Sequence, residues 1–170
     1  DIAVFPDCSR DKMLENASIV ATPSVFATPT SSFTVVVSLN NMGYDSKNPQ
    51  EYDGGPRVNT LAKFAKPKDE VIAQVDGVFS LKFGDFRKRL TFKVWDGYNF
   101  QEVGAEVDKP YRIAAAAGDG QISLFCNGKL VASKKCPTPT FASQKPLVAA
   151  MKARNNSGYD ISFYGAIEKL

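Results

Sequence analysis

The chain has 170 residues, 44% of them hydrophobic and 23% charged, with a formal net charge of +3; this is the length and balance of one domain with its own core. It contains no histidine. That excludes Ser-His-Asp and Cys-His nucleophilic arrangements, His-ligated zinc and imidazole acid/base chemistry, and leaves any enzyme with carboxylates, Lys, Tyr or a hard metal.

The chain begins at Asp1 with no basic segment leading into an apolar one, which fits a mature or excised domain, any signal peptide being already absent from it. Asp11–Asn16 fits a single helical turn. The first clear alternation is SSFTVVVSLN, residues 31–40. It sets Phe33, Val35, Val37 and Leu39 on one face of a strand and Thr34, Val36 and Ser38 on the other. NNMGYDSKNPQEYDGGPRV, 40–58, is the longest irregular stretch. Its Asp and Asn residues read first as turn formers of a solvated loop, although long loops in small domains often carry function.

RVNTLAKF (57–64), VIAQV (71–75) and VFSLKF (78–83) follow as strands, the last two joined through Asp76-Gly77. RLTFKVWDG (89–97) alternates again, with Leu90, Phe92 and Val94 inward and Thr91, Lys93 and Trp95 outward. Arg87-Lys88-Arg89 is a basic run that reads as a solvated turn. PYRIAAAAGDG (110–120) and QISLFC (121–126) lead into Asn127-Gly128. Asn-Gly between two alternating runs predicts a two-residue hairpin, because both central positions of that turn need positive φ. PLVAAMKA (146–153), the polar loop RNNSGYD (154–160) and YDISFYGAIEKL (159–170) close the chain. Strand-like runs recurring about every ten residues between Gly, Pro, Asn and Asp turns predict an all-β, antiparallel sandwich or barrel, one domain over 1–170.

The hairpin also bears on the cysteines. With the turn at 127–128, Leu124 faces Val131, Ile122 faces Ser133, and Cys126 lies opposite Lys129. Cys136 then sits about 23 Å along the return strand, at roughly 3.3 Å per residue. A disulfide needs Cα atoms within about 7 Å, so Cys126 and Cys136 are not expected to bond. Cys126 continues the buried Ile122–Leu124 face. Two alternatives stay open: a Cys8–Cys136 bridge between an early and a late strand, or three unpaired thiols.

PYRIAAAAGDGQISLFCNGKLVASKK resembles the middle of laminin-G-like domains of the concanavalin-A-like lectin/glucanase superfamily. The match is carried by the Gly-Asp-Gly turn and then by Ile122, Leu124, Phe125, Asn127, Gly128, Lys129 and Val131. SSFTVVVSLN is similar to an upstream strand of that family, with Leu39 where an aromatic is common, and YDISFYGAIEKL to its closing strand. The resemblance covers 31–170 and implies a jelly-roll sandwich of two antiparallel sheets. It further implies a first strand lying near the last one, and a binding site at a loop rim or on a sheet face. Function has to come from the site, because this fold hosts lectins, hydrolases, lyases and adhesion modules.

Glucanases of the superfamily carry E-x-D-x-E or E-x-D-x-x-E on one strand, which places the acid and the nucleophile on one face. Here E-x-D occurs at Glu106-Val107-Asp108, where Pro110 and Tyr111 stand in place of the third Glu, and at Glu51-Tyr52-Asp53, where Gly55 and Pro56 do. The lyases of the fold commonly use a His and Tyr pair, and histidine is absent. A non-enzyme is expected.

Among binding candidates, Trp95 is the only tryptophan, outward on its strand and followed by Asp96, Tyr98 and Asn99. A flat ring beside Asp and Asn suits a sugar, whose C–H face packs on the ring while its hydroxyls bond to the polar groups. The plainer reading has Trp95 covering the sheet. Tyr44 and Tyr52 of the long loop join the ligand-binding candidates. Relatives often bind calcium at such a rim, which makes Asp45 and Asp53 the metal candidates, although no D-x-D-x-D-G spacing is present. Asn16-Ala-Ser18 and Asn155-Asn-Ser157 are sequons that act only in a secreting eukaryote.

The expected function is a lectin or carbohydrate-binding module, extracellular or surface-exposed, with a glycan or surface glycoprotein as partner. The alternative is a protein-binding or structural adhesion module of a larger extracellular or viral or phage surface polypeptide. Nucleic acid is not an expected partner, since the Lys and Arg are spread along the chain. Nor is membrane insertion, since no apolar run nears about 18 residues.

Overall fold

The computed structural model describes residues 3–5, 19–21, 23–40, 70–84, 88–151, 153–154, 160–161 and 165–169, and every regular element among them is a strand. A first sheet runs in the order β1 (Ala3–Phe5), β14 (Gly165–Lys169), β3 (Phe33–Asn40), β8 (Arg112–Gly118), β9 (Gln121–Cys126) and β10 (Lys129–Lys135). A second runs β2 (Ile19–Ala21), β11 (Leu147–Met151), β4 (Glu70–Val75), β5 (Phe79–Gly84), β6 (Arg89–Trp95) and β7 (Phe100–Glu106). β12 (Ala153–Arg154) and β13 (Asp160–Ile161) form a separate two-stranded ribbon. All pairings are antiparallel.

The alternation in the sequence builds this directly. β5 and β6 bury every second residue, and Phe79, Leu81 and Phe83 stand beside Val94, Phe92 and Leu90 in register. Facing them from the first sheet are Val37 and Leu39 of β3, Ile113, Ala115 and Ala117 of β8, and Ile122 and Leu124 of β9. The sheets lock through aromatics. Phe33 of β3 lies 5.2 Å from Phe79 and 6.3 Å from Phe92, centroid to centroid, across the sandwich. Phe26 and Phe141, from the segments before β3 and before β11, close the same cluster at 5.0 and 4.8 Å from Phe33. Burying each such ring is worth about 1.5–3 kcal/mol.

Two expectations about connectivity hold and two need correction. β1 pairs with β14, Ala3 opposite Ile167, so the first strand does return to the last. The turn at 127–128 has φ of 53° at Asn127 and 81° at Gly128, as a primed hairpin turn requires. The register beyond it slips, however: Leu124 faces Ala132 and Ile122 faces Lys134. A β-bulge inserts Val131 between Leu130 and Ala132, and the extra residue moves every later pair by one. The strand β7 was also not expected. FQEVGAE buries only Val103, and a strand with one buried residue shows no period-2 pattern to read. The expected strand at 57–64 and the helical turn at 11–16 lie outside the described residues.

Candidate functional site

β6 and β7 form a hairpin with register partners Trp95 and Phe100 closing a four-residue turn, Asp96 to Asn99. Directly opposed residues of antiparallel strands share a face, so Trp95 and Phe100 stand together on the outer face of the second sheet. Their ring centroids are 5.1 Å apart at an interplanar angle of 65°, an edge-to-face pair. Lys93, two residues before Trp95 on the same face, holds its Nζ 5.2 Å from the Phe100 centroid, within cation–π range. Trp95 is half-buried, Phe100 is 45% exposed and Tyr98, at the tip of the turn, 83% exposed.

Asp96 organises this display. It is 8% exposed, and its Oδ1 accepts hydrogen bonds from the backbone N–H of Tyr98 (2.8 Å) and of Asn99 (2.7 Å). Its Oδ2 accepts from Gln101 Nε2 at 2.6 Å, and its own N–H donates to the carbonyl of Asn99 at 2.9 Å. The amide of Asn99, then that of Tyr98, then Gln101 hold its carboxyl below the usual carboxylate range, since each bond favours the charged form. The expectation of Asp96 as a ligand-facing carboxylate therefore changes: its oxygens shape the turn that presents Tyr98 and Asn99. Such use of Asp two residues before a turn amide is an Asx-turn.

Among the expected site residues, Trp95, Tyr98 and Asn99 are gathered on this hairpin. Tyr44, Tyr52, Asp45 and Asp53 lie outside the described residues. No group of three or more acidic or cysteine side chains that could hold a metal is present among the described residues. Phe100, Lys93 and Gln101 were not foreseen. Lys93 was legible, two residues from Trp95 in an alternating strand; Phe100 needed the register of β7.

Glu106 ends β7 opposite Arg89, Asp108 is exposed in the following turn, and Pro110 is buried. The two carboxylates of the E-x-D thus sit on a strand end and a loop. Cys126 and Cys136 are both buried and free. Cys136 N–H donates to Gly120 O at 3.0 Å, at the end of the hairpin away from Cys126. Cys8, its candidate partner, lies outside the described residues.

No protein-family profile and no curated protein sequence matches the chain. Solved structures do match in fold. The chain is similar to the mouse laminin alpha1 chain, domains LG4-5, with a TM-score of 0.53 and 10% identity, over 89% of this chain and 37% of that one. It is also similar to the binding domain of Paraclostridial Mosquitocidal Protein 1, with a TM-score of 0.54 and 13% identity, over 91% of this chain and 38% of that one. The chain therefore spans less than two-fifths of either structure. At these identities the likeness concerns architecture alone. The fold is the laminin-G-like, concanavalin-A-like sandwich of two antiparallel sheets.

Proposed function

We propose that this domain is a carbohydrate-binding module, extracellular or surface-displayed, that holds glycans reversibly on the outer face of β6 and β7. The observation that carries this reading is the displayed aromatic group: Trp95 edge-on to Phe100, with Tyr98 exposed at the adjoining turn tip. Rings standing out of a sheet on a turn fixed by Asp96 offer a preorganised apolar surface for a sugar's C–H face, at little cost in side-chain entropy. Asn99 and the Lys93 ammonium stand beside it as hydrogen-bond donors to hydroxyls. Tyr44 and Tyr52 belong to the proposal as further contacts, and calcium at Asp45 and Asp53 as a contribution that rests on the family resemblance alone. The domain is proposed to bind without cleaving, supported by the broken E-x-D pattern at Pro110 and Tyr111 and by the absence of histidine.

The second reading is a protein-binding adhesion module, favoured by the likeness in fold to a laminin LG domain pair and a toxin binding domain. A diverse glycan array, run with calcium and with chelator, separates the two. The expected result is binding that disappears in Trp95→Ala. Loss in chelator alone would move the site to the 40–58 loop. No binding by folded protein under either condition would overturn the glycan reading in favour of the adhesion module.

A further inference from the structure

The two sheets differ in charge. Strands β3, β8, β9 and β10 carry Arg112, Lys129, Lys134 and Lys135 and not one Asp or Glu. β6 and β7 of the other sheet balance Arg89 and Lys93 against Glu106 and Glu102 in register. Three of these four cations are on β10, and all three are exposed; β14 of the same sheet adds Glu168 and Lys169, whose charges cancel. Among the described residues β10 pairs only with β9, so it is the sheet's edge.

The direction of its free backbone groups follows from the ladder. Cys136 N–H donates inward to Gly120 O. In an antiparallel pair the inward-bonded and outward-pointing residues alternate, so Lys135 and Ser133 turn their N–H and C=O away from β9. Both are exposed. Before the bulge, Leu130 is 56% exposed. It continues an apolar row across the outer face: Val36 opposite Ala114, Ala114 opposite Phe125, Phe125 opposite Leu130. The edge thus offers outward amide groups, flanking ammonium groups, and one apolar foothold.

We infer that the β10 edge, Lys129–Lys135, is a docking strand for an extended acidic segment of a partner protein, which adds to the first sheet as a further strand. The added backbone bonds Ser133 and Lys135. Its carboxylates meet Lys129, Lys134 and Lys135, and an apolar side chain rests on Leu130 and Phe125. Strand addition to an exposed edge draws affinity from main-chain bonds and specificity from alternate side chains. Lysines on an edge, like the bulge at Val131, oppose pairing with a copy of the same strand. They therefore exclude self-association through β10, three Lys against three Lys, while favouring a strand of opposite charge. This inference is independent of the glycan reading, which concerns the face of the other sheet.

The test uses two synthetic peptides, alternating Glu-Val and alternating Lys-Val, titrated into the full chain with backbone amides followed by NMR. The expected result is binding of the Glu-Val peptide alone. It should protect the Ser133 and Lys135 amides from exchange and weaken when salt is raised about tenfold. Ser133→Pro, which removes one outward N–H and no inward bond, should weaken it tenfold or more. The double charge reversal Lys134→Glu, Lys135→Glu should do the same and needs no backbone change, so it stands if the proline variant fails to fold. Equal binding of both peptides overturns the inference. So does Glu-Val binding that leaves the Ser133 and Lys135 amides unprotected. A heparin fragment that competes with undiminished Glu-Val binding to Ser133→Pro would reassign the edge to a charge-only anion surface.

Discussion

Trp95 and Phe100 are register partners across the β6–β7 hairpin, their rings edge to face at 5.1 Å. The contact both fixes the turn and exposes a continuous aromatic surface. An aromatic pair of this geometry is worth about 0.5–1.5 kcal/mol beyond its area. A double-mutant cycle of Trp95→Ala and Phe100→Ala in chemical denaturation should return a coupling energy in that range. Zero coupling would mean that the rings are merely adjacent. Because Trp95 is the sole tryptophan, its fluorescence is an unmixed reporter: a ligand on this face should shift it in wild type and shift it less in Phe100→Ala.

Asp96 predicts a pH signature. Its folded carboxyl is held below the ordinary range, first by the Asn99 amide, then by the Tyr98 amide and Gln101. A depressed carboxylate adds stability that is complete above its unfolded pKa and is lost as pH falls through its folded pKa. Wild type should therefore lose thermal midpoint toward acid more steeply than Asp96→Asn. At neutral pH the order of stability should be wild type, then Asp96→Asn, then Asp96→Ala, since Asn keeps one acceptor and Ala none. Parallel acid limbs in wild type and Asp96→Asn would show that the charge does not matter there.

The Asn127 prediction turns on a second role for a turn residue. Its Oδ1 accepts from the N–H of Tyr111 (3.0 Å) and of Arg112 (3.1 Å), and its Nδ2 donates to Lys109 O at 3.2 Å. The side chain of the β9–β10 turn thus clamps the loop entering β8. Asn127→Gly keeps the left-handed turn and removes the clamp, and should cost about 1–2 kcal/mol at roughly 1 kcal/mol or less per exposed bond. Asn127→Ala should cost roughly 1 kcal/mol more, for a Cβ in the left-handed region. Equilibrium unfolding of the two variants separates the terms; equal losses would remove the conformational one.

These two residues also mark how far the sequence could be read. Asn127-Gly128 announced a hairpin because its chemistry is local: positive φ at two successive positions. The clamp joins positions 15 to 18 apart, which no local pattern records. Trp95 was legible as outward-facing because β6 alternates strictly, whereas its partner Phe100 belongs to a strand that buries one residue in seven. Asp96 read only as a ligand group beside Trp95, because the approach of the Tyr98 and Asn99 amides to its Oδ1 is set by the turn geometry and not by the residue types. The bulge at Val131 had no signal, since Leu130-Val131-Ala132 continues as apolar in either register. The sandwich itself was legible, because its strands carry the period and its turns carry Gly, Asn and Asp.

Gly118 ends β8 against the segment before β3. A Cβ built on it would come 2.5 Å from Ser32 Cβ, with φ at 158°. Gly118→Ala should therefore cost about 1–3 kcal/mol by overpacking. Ser32→Gly should restore most of that loss in the double variant and cost little alone, Ser32 being exposed. An unchanged stability in Gly118→Ala would mean that the two segments part easily.

The buried thiols give the last expectation. Burial alone pushes Cys126 up, and burial, with Asp96 adding to it against Lys134, pushes Cys136 up. The reactive species is the thiolate. Both should therefore resist an aromatic disulfide reagent in the native protein and react rapidly once it is denatured. The raised folded values also set a sign at the alkaline end. Stability from these groups is complete below the unfolded thiol pKa and falls as pH rises toward the folded one, because the unfolded chain ionises first. Cys126→Ser and Cys136→Ser should differ in kind. Ser at 126 places a hydroxyl beside the Ile113 register partner in the apolar core, at about 1–3 kcal/mol if it goes unpaired. Ser at 136 sits on the strand end near Asp96 and should cost less. A larger loss at 136 would show that this thiol, rather than Cys126, is the one whose packing the sandwich depends on.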